Sequence, residues 1–66
     1  MSQLANKILE NDRLKELTEE RQTLIMYVNN IKDWESRIEL KKHIQHLDTM
    51  IDIEILNIKR EIENEK

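Results

Sequence analysis

Residues 40–62 read LKKHIQHLDTMIDIEILNIKREI, and within them Leu40, Ile44, Leu47, Ile51, Ile55, Ile58 and Ile62 recur at steps of three and four. At 100° per residue these positions fall between about 20° and 100°, a narrow seam on one side of a helix. A strand, whose side chains alternate, would not produce it. The seam extends over about 33 Å at the usual helical rise.

Upstream lies a second series, Leu14, Leu17, Leu24, Val28 and Ile31, with Arg21 filling the place of a further apolar residue. These point to about 220° to 320°, so the phase jumps by about 150° between the two series. One unbroken rod could not offer both seams to the same surface, and the chain is therefore expected to turn. Asn29 and Asn30 tolerate left-handed geometry best in a chain without glycine, and Lys32, Asp33, Trp34, Glu35 and Ser36 follow as a polar stretch. Ser36 and Glu39 have the spacing of a capping box for the second helix, with Asp33 as the alternative cap.

The expected architecture is all-α: an antiparallel helical hairpin forming one domain over residues 1–66. Its helices are expected at about 3–31 and 37–63, joined by a turn at about 32–36. Folding about Trp34 sets Val28 near Leu40, Leu24 near Ile44, Arg21 near Leu47 and Leu17 near Ile51. The first helix has an ambiguous start, because Leu4, Ile8 and Leu9 lie off its stripe and Asn11-Asp12 interrupts it. Either a short separate helix ends there and Asp12 caps the next, or one helix runs through with a shifted face that meets a second subunit. The continuous helix is the expectation adopted.

Composition narrows the function. The 66 residues include no Gly, Pro, Cys or Phe and carry 11 basic against 14 acidic side chains, a net charge of −3. Gly-rich phosphate loops, thiol nucleophiles and cysteine-held metals are excluded. The acidic balance disfavours nucleic acid, and the small basic cluster Arg37, Lys41, Lys42 reads as a solvated face. The longest uninterrupted apolar run, Leu24 to Val28, is far short of the roughly 20 residues that span a bilayer. A cytoplasmic protein without membrane partners is expected. Abundant Ile and Lys resemble the usage of AT-rich bacterial or phage genomes.

A chain this short, 38% apolar, hides only about 60% of its unfolded surface. Two helices touching along one line leave the flanks of each seam wet, so self-association is expected, as a homodimeric four-helix bundle or coiled coil. Ile53 and Leu56 lie well off the seam and would be exposed in a lone hairpin. Trp34, in the turn, is expected either to cover the open end of the bundle or to stand exposed; with Tyr27 nearby it joins Ile53 and Leu56 as a candidate anchor for another protein, and Asp48 and Asp52 are either solvated or an acidic patch that orients a basic partner. The expected function is a small regulatory or inhibitory binding module, and the alternative from this composition is a structural coiled-coil assembly element. Arg21, a guanidinium at a seam position, must find a carboxylate or reach out of the core.

Enzymatic chemistry has little support. Ser2 and Ser36 have no paired base. Glu39, His43 and His46 share a flank, but the two histidines are three apart and lack the adjacent Glu of helical zinc sites, so neither metal nor cofactor is expected. The more specific pattern is Gln45-His46-Leu47-Asp48-Thr49-Met50-Ile51, with Arg21 about two dozen residues earlier and a turn between. It resembles the short two-helix aspartyl-phosphate phosphatases of sporulating bacilli, whose hallmark is Ser-Gln-Glu-Leu-Asp followed by an apolar pair. Gln45, Leu47, Asp48 and Ile51 match; Ile44 stands in place of the Ser and His46 in place of the Glu, and the loop lacks the usual Gly and Pro. The resemblance implies docking on a response-regulator receiver domain, with Gln45 and Asp48 positioning water at the phospho-aspartate.

Overall fold

The computed structural model describes residues 3–64, and they form three α-helices: α1 (Gln3–Glu10), α2 (Asp12–Asn30) and α3 (Trp34–Asn64). No strand occurs among the described residues. α3, with 31 residues, is about 46 Å long at the helical rise, and the molecule measures 51 × 17 × 15 Å. The length of the molecule is thus the length of α3, with α1 and α2 both lying against it.

The side-chain contacts run in opposite senses. Asn11 meets Glu54, whereas Glu20 and Arg21, further along α2, meet His43 and Asp48. Residue numbers that rise along α2 fall along α3.

The core is thin. Leu14, Leu17 and Val28 of α2 and Leu47 and Ile58 of α3 are buried, each on one of the two seams. The other seam residues, among them Leu24, Leu40, Ile44, Ile51, Ile55 and Ile62, are only half-buried. Burying a Leu or Ile contributes about 1.5–3 kcal/mol only when it is fully covered, so much of the available apolar stabilisation is unused in one chain.

The expected helix over 3–31 is broken at Asn11. Asn11 adopts an extended conformation (φ −82°, ψ 107°), and its side-chain oxygen accepts the Leu14 amide at 2.9 Å. Its own amide donates to the Ile8 carbonyl at 3.2 Å, and its carbonyl accepts the Lys15 amide at 3.1 Å. The side-chain NH2 donates to Glu54 of α3 at 3.2 Å. The cap of α2 is therefore Asn11, not Asp12. Phase supplies the reason for the break. In a continuous helix Leu4 and Ile8 would point about 130° to 170° away from the α2 seam; with the break both are half-buried in a helix that lies on α3.

The link is also shorter than expected, residues 31–33 instead of 32–36. Left-handed geometry at Asn29 and Asn30 is not used, since no described residue has positive φ. The chain leaves α2 through an extended Ile31 (φ −84°, ψ 130°) whose amide still donates to the Tyr27 carbonyl. α3 begins three residues early because Asp33, not Ser36, caps it: the Asp33 carboxylate accepts the Ser36 amide at 3.1 Å and the Ser36 hydroxyl at 2.6 Å. Ser36 becomes a third-position donor in the first turn, and the charged acceptor outcompetes its hydroxyl as cap.

The Ser36 hydroxyl and then the Ser36 amide hold the Asp33 carboxyl below its ordinary value of 3.8. A group with a depressed folded pKa stabilises the fold above its unfolded pKa, and that contribution is lost as pH falls through the lower folded value. The helix content of the wild type is therefore expected to carry an acid-sensitive component below pH 3.8, absent in Asp33→Asn, as circular dichroism titration of the two proteins would read.

Candidate functional site

The cap geometry at the link fixes both aromatic residues of the chain. Tyr27 sits in the last turn of α2, where its carbonyl takes the Ile31 amide, and Trp34 is the first residue of α3, directly after its cap. Both point outward: Trp34 is 71% exposed and Tyr27 60%. The indole does not cover the open end of the helix pair. Beside Tyr27, Met26 is 61% exposed, and Thr23, Met26, Tyr27 and Asn30 line an open depression of about 340 Å³. The polar members of this rim each donate one bond back into the helix, Thr23 to the Glu19 carbonyl and Asn30 to the Met26 carbonyl. What remains for contact is a thioether, a phenol and, across the link, an indole.

Ile53 and Leu56 are also exposed, on the outer side of α3. They lie about 28 Å or more along α3 from Trp34, so the four candidate anchors fall into two separate places. Met26 was not among them. Its signal in the sequence was its position almost opposite the α2 seam, where a large apolar side chain has no partner within the chain.

The acidic pair is divided in the same way. Asp48 is bound to Arg21, with Nε to Oδ1 at 2.5 Å, while Asp52 is exposed one turn further on. The guanidinium at the seam thus found its carboxylate across the two helices. With the two side chains 37% and 48% exposed, the pair contributes about 0–1 kcal/mol and mainly aligns α2 against α3. Arg21→Leu, which completes the apolar series, is expected to raise the melting temperature by a few degrees and to make stability less sensitive to salt. A fall in melting temperature would give the ion pair a larger share of the stability than its exposure allows.

Gln45 is exposed one turn before Asp48, on the same flank of α3. The two can approach a common ligand, but Arg21 already occupies one carboxylate oxygen. His43 faces Glu20 at 3.7 Å with both side chains about half exposed, and no group of three His, Asp or Glu residues among those described is placed to hold a metal ion. None of the described helices is long and apolar enough to cross a membrane. A shallow groove of about 230 Å³, lined by Ile8, Leu9, Leu14, Lys15, Thr18 and Glu19, marks the junction of α1 and α2. The chain matches no protein-family model, no curated protein and no solved structure.

Proposed function

We propose that the chain is a small regulatory or inhibitory binding module: a helical hairpin that pairs with a second copy into a four-helix bundle and docks its link end on another protein. The observation that carries the docking reading is the outward placement of the only Trp and the only Tyr in the sequence at one end of the molecule. Large aromatic side chains are normally well covered, and Trp and Tyr dominate the energetics of protein interfaces. A chain with a thin core that leaves both outside is using them for recognition.

The pairing is supported by surface area. The chain exposes 5419 Å², whereas a compact monomer of 8.1 kDa exposes about 4500 Å². The excess of about 900 Å² is close to one partner's share of a standard interface, about 800 Å². The half-buried Ile and Leu along the seams are the apolar surface such an interface would cover.

Immobilised wild-type protein and the Tyr27→Ala/Trp34→Ala double variant, exposed to the same cell lysate, test the docking. A stoichiometric protein retained by the wild type and lost by the variant is the expected result; equal retention removes these side chains from the account. The second reading, a phosphatase for aspartyl phosphate on a receiver domain, draws on the placement of Gln45 and Asp48 on one flank. It requires that a phosphorylated receiver domain lose its label faster with the wild type than with Asp48→Ala.

A further inference from the structure

Two ion contacts mark the two flanks of the helix pair. Glu20 meets His43 and Arg21 meets Asp48; at 100° per residue Glu20 and Arg21 fall on either side of the α2 seam, as His43 and Asp48 do of the α3 seam. Tyr27 is two turns from Glu20 and lies on the Glu20–His43 flank, whereas Trp34 is four turns from Asp48 and lies on the other. The two aromatic side chains share an end of the molecule but not a side. Their charged neighbours differ accordingly. Glu16, Glu20 and Glu39 accompany Tyr27, while the first turns of α3 set Arg37, Ile38, Lys41 and Gln45 in one stripe with Trp34.

This stripe exists because Asp33 caps α3. With the helix starting at 34 the indole enters the register of Arg37 and Lys41; a start at 37 would leave it in a loop. Trp34, Lys41 and Gln45 are exposed, Arg37 and Ile38 half-buried. Among the described residues neither Arg37 nor Lys41 forms an ion pair, whereas Arg13 and Arg21 are both paired across the helices. The carboxylates that could offset these two charges are otherwise placed. Asp33 holds the Ser36 amide and hydroxyl, Asp48 holds Arg21, and Glu35 and Glu39 lie about 120° round α3 from the stripe. Asp52 shares the flank but lies about 17 Å along the helix from Lys41, about two screening lengths at physiological salt.

From this we infer that Trp34's flank receives an acidic segment of the partner protein, with a large apolar side chain against the indole and Ile38 and carboxylates on Arg37 and Lys41. The indole supplies affinity and the two unpaired bases select the sign of the segment. Arg37 adds geometry, since a guanidinium takes a carboxylate through two parallel bonds. Trp34 to Lys41 covers about 10 Å of α3, a length that two turns of helix or a few extended residues can match. Single-stranded nucleic acid is also anionic and stacks on indoles, but the net charge of −3 disfavours it. The basic cluster that sequence alone reads as a solvated face thus becomes part of the docking surface. The inference deepens the docking reading and rests on it.

A pair of short synthetic peptides tests it, each with one Phe in a Ser-Gly background, flanked by glutamates in one and by lysines in the other. Binding at physiological salt is read through the emission of Trp34, the only indole. The acidic peptide is expected to bind about tenfold or more tightly than the basic one. In Arg37→Glu/Lys41→Glu the preference is expected to reverse with helix content unchanged; Lys41→Glu alone, at an exposed position, should weaken the acidic peptide several-fold, and Glu39→Lys on the other flank should change it by less than about twofold. Equal binding of the two peptides, a preference indifferent to reversal at 37 and 41, or tighter binding of an oligothymidylate overturns the inference. So does loss of self-association in Arg37→Glu/Lys41→Glu, which would make this flank the pairing face. If capture from lysate needs Trp34 while the peptides show no preference of sign, the acidic segment falls and the docking reading stands; capture indifferent to Tyr27 and Trp34 removes docking itself.

Discussion

Leu47→Ala is expected to leave the chain largely unfolded at room temperature. Leu47 is only 3% exposed and is one of five buried side chains among the described residues. Truncating a buried Leu costs about 2–5 kcal/mol, and a domain of this size holds only about 3–5 kcal/mol in total. Loss of the helical circular dichroism signal at low concentration reads the effect. Ile53→Ala, on the outer side of the same helix, is expected to cost less than about 0.5 kcal/mol in the single chain. Similar melting curves for the two variants would mean that stability does not reside in the seam.

The second large effect concerns recognition. Tyr27→Ala and Trp34→Ala are each expected to leave the melting temperature nearly unchanged, because neither ring is covered. Each is expected to weaken binding of the captured partner by about 30-fold, the effect of losing about 2 kcal/mol at an interface centre. Calorimetric titration gives the affinity. Trp34 provides an independent optical signal, since as the only indole its emission should report water in the free protein and shift to the blue on docking. Undiminished affinity in both variants, or indole emission blind to the partner, would place the contact elsewhere, and the exposed pair Ile53 and Leu56 would be the next surface to test.

The helical class was legible because it depends on spacing alone: the five buried residues among those described all lie on the two apolar series, and a period near 3.6 leaves a strand no role. The need of Arg21 for a carboxylate was equally legible, because a guanidinium at a seam position has few other solutions. Asn11 was harder. Its side chain is ordinary inside a helix, and its choice to cap depends on Glu54, 43 residues away, and on the gain from turning Leu4 and Ile8 onto α3. At the link, Asp33 and Ser36 are alternative caps three residues apart, each suited to the amides of the turn that follows it, and a spacing rule cannot rank a carboxylate against a hydroxyl when both fit. Trp34 followed from that outcome. With the helix starting at 34 instead of 37, the indole is carried on the first turn of α3 and not in a loop free to fold over the open end.

Arg21, Asp48, Asn11 and Glu54 together tie α2 to α3 by polar contacts at two levels, while the apolar seams between them remain partly open to water. Alignment and cover are thus divided: the polar contacts fix how the helices lie, and in the proposed pairing a second molecule finishes the burial. Sedimentation equilibrium over a hundredfold range of protein concentration tests this most directly. The average mass is expected to rise from 8.1 kDa towards twice that value with increasing concentration. A mass that stays at the single-chain value throughout, in a protein that melts cooperatively, would contradict it.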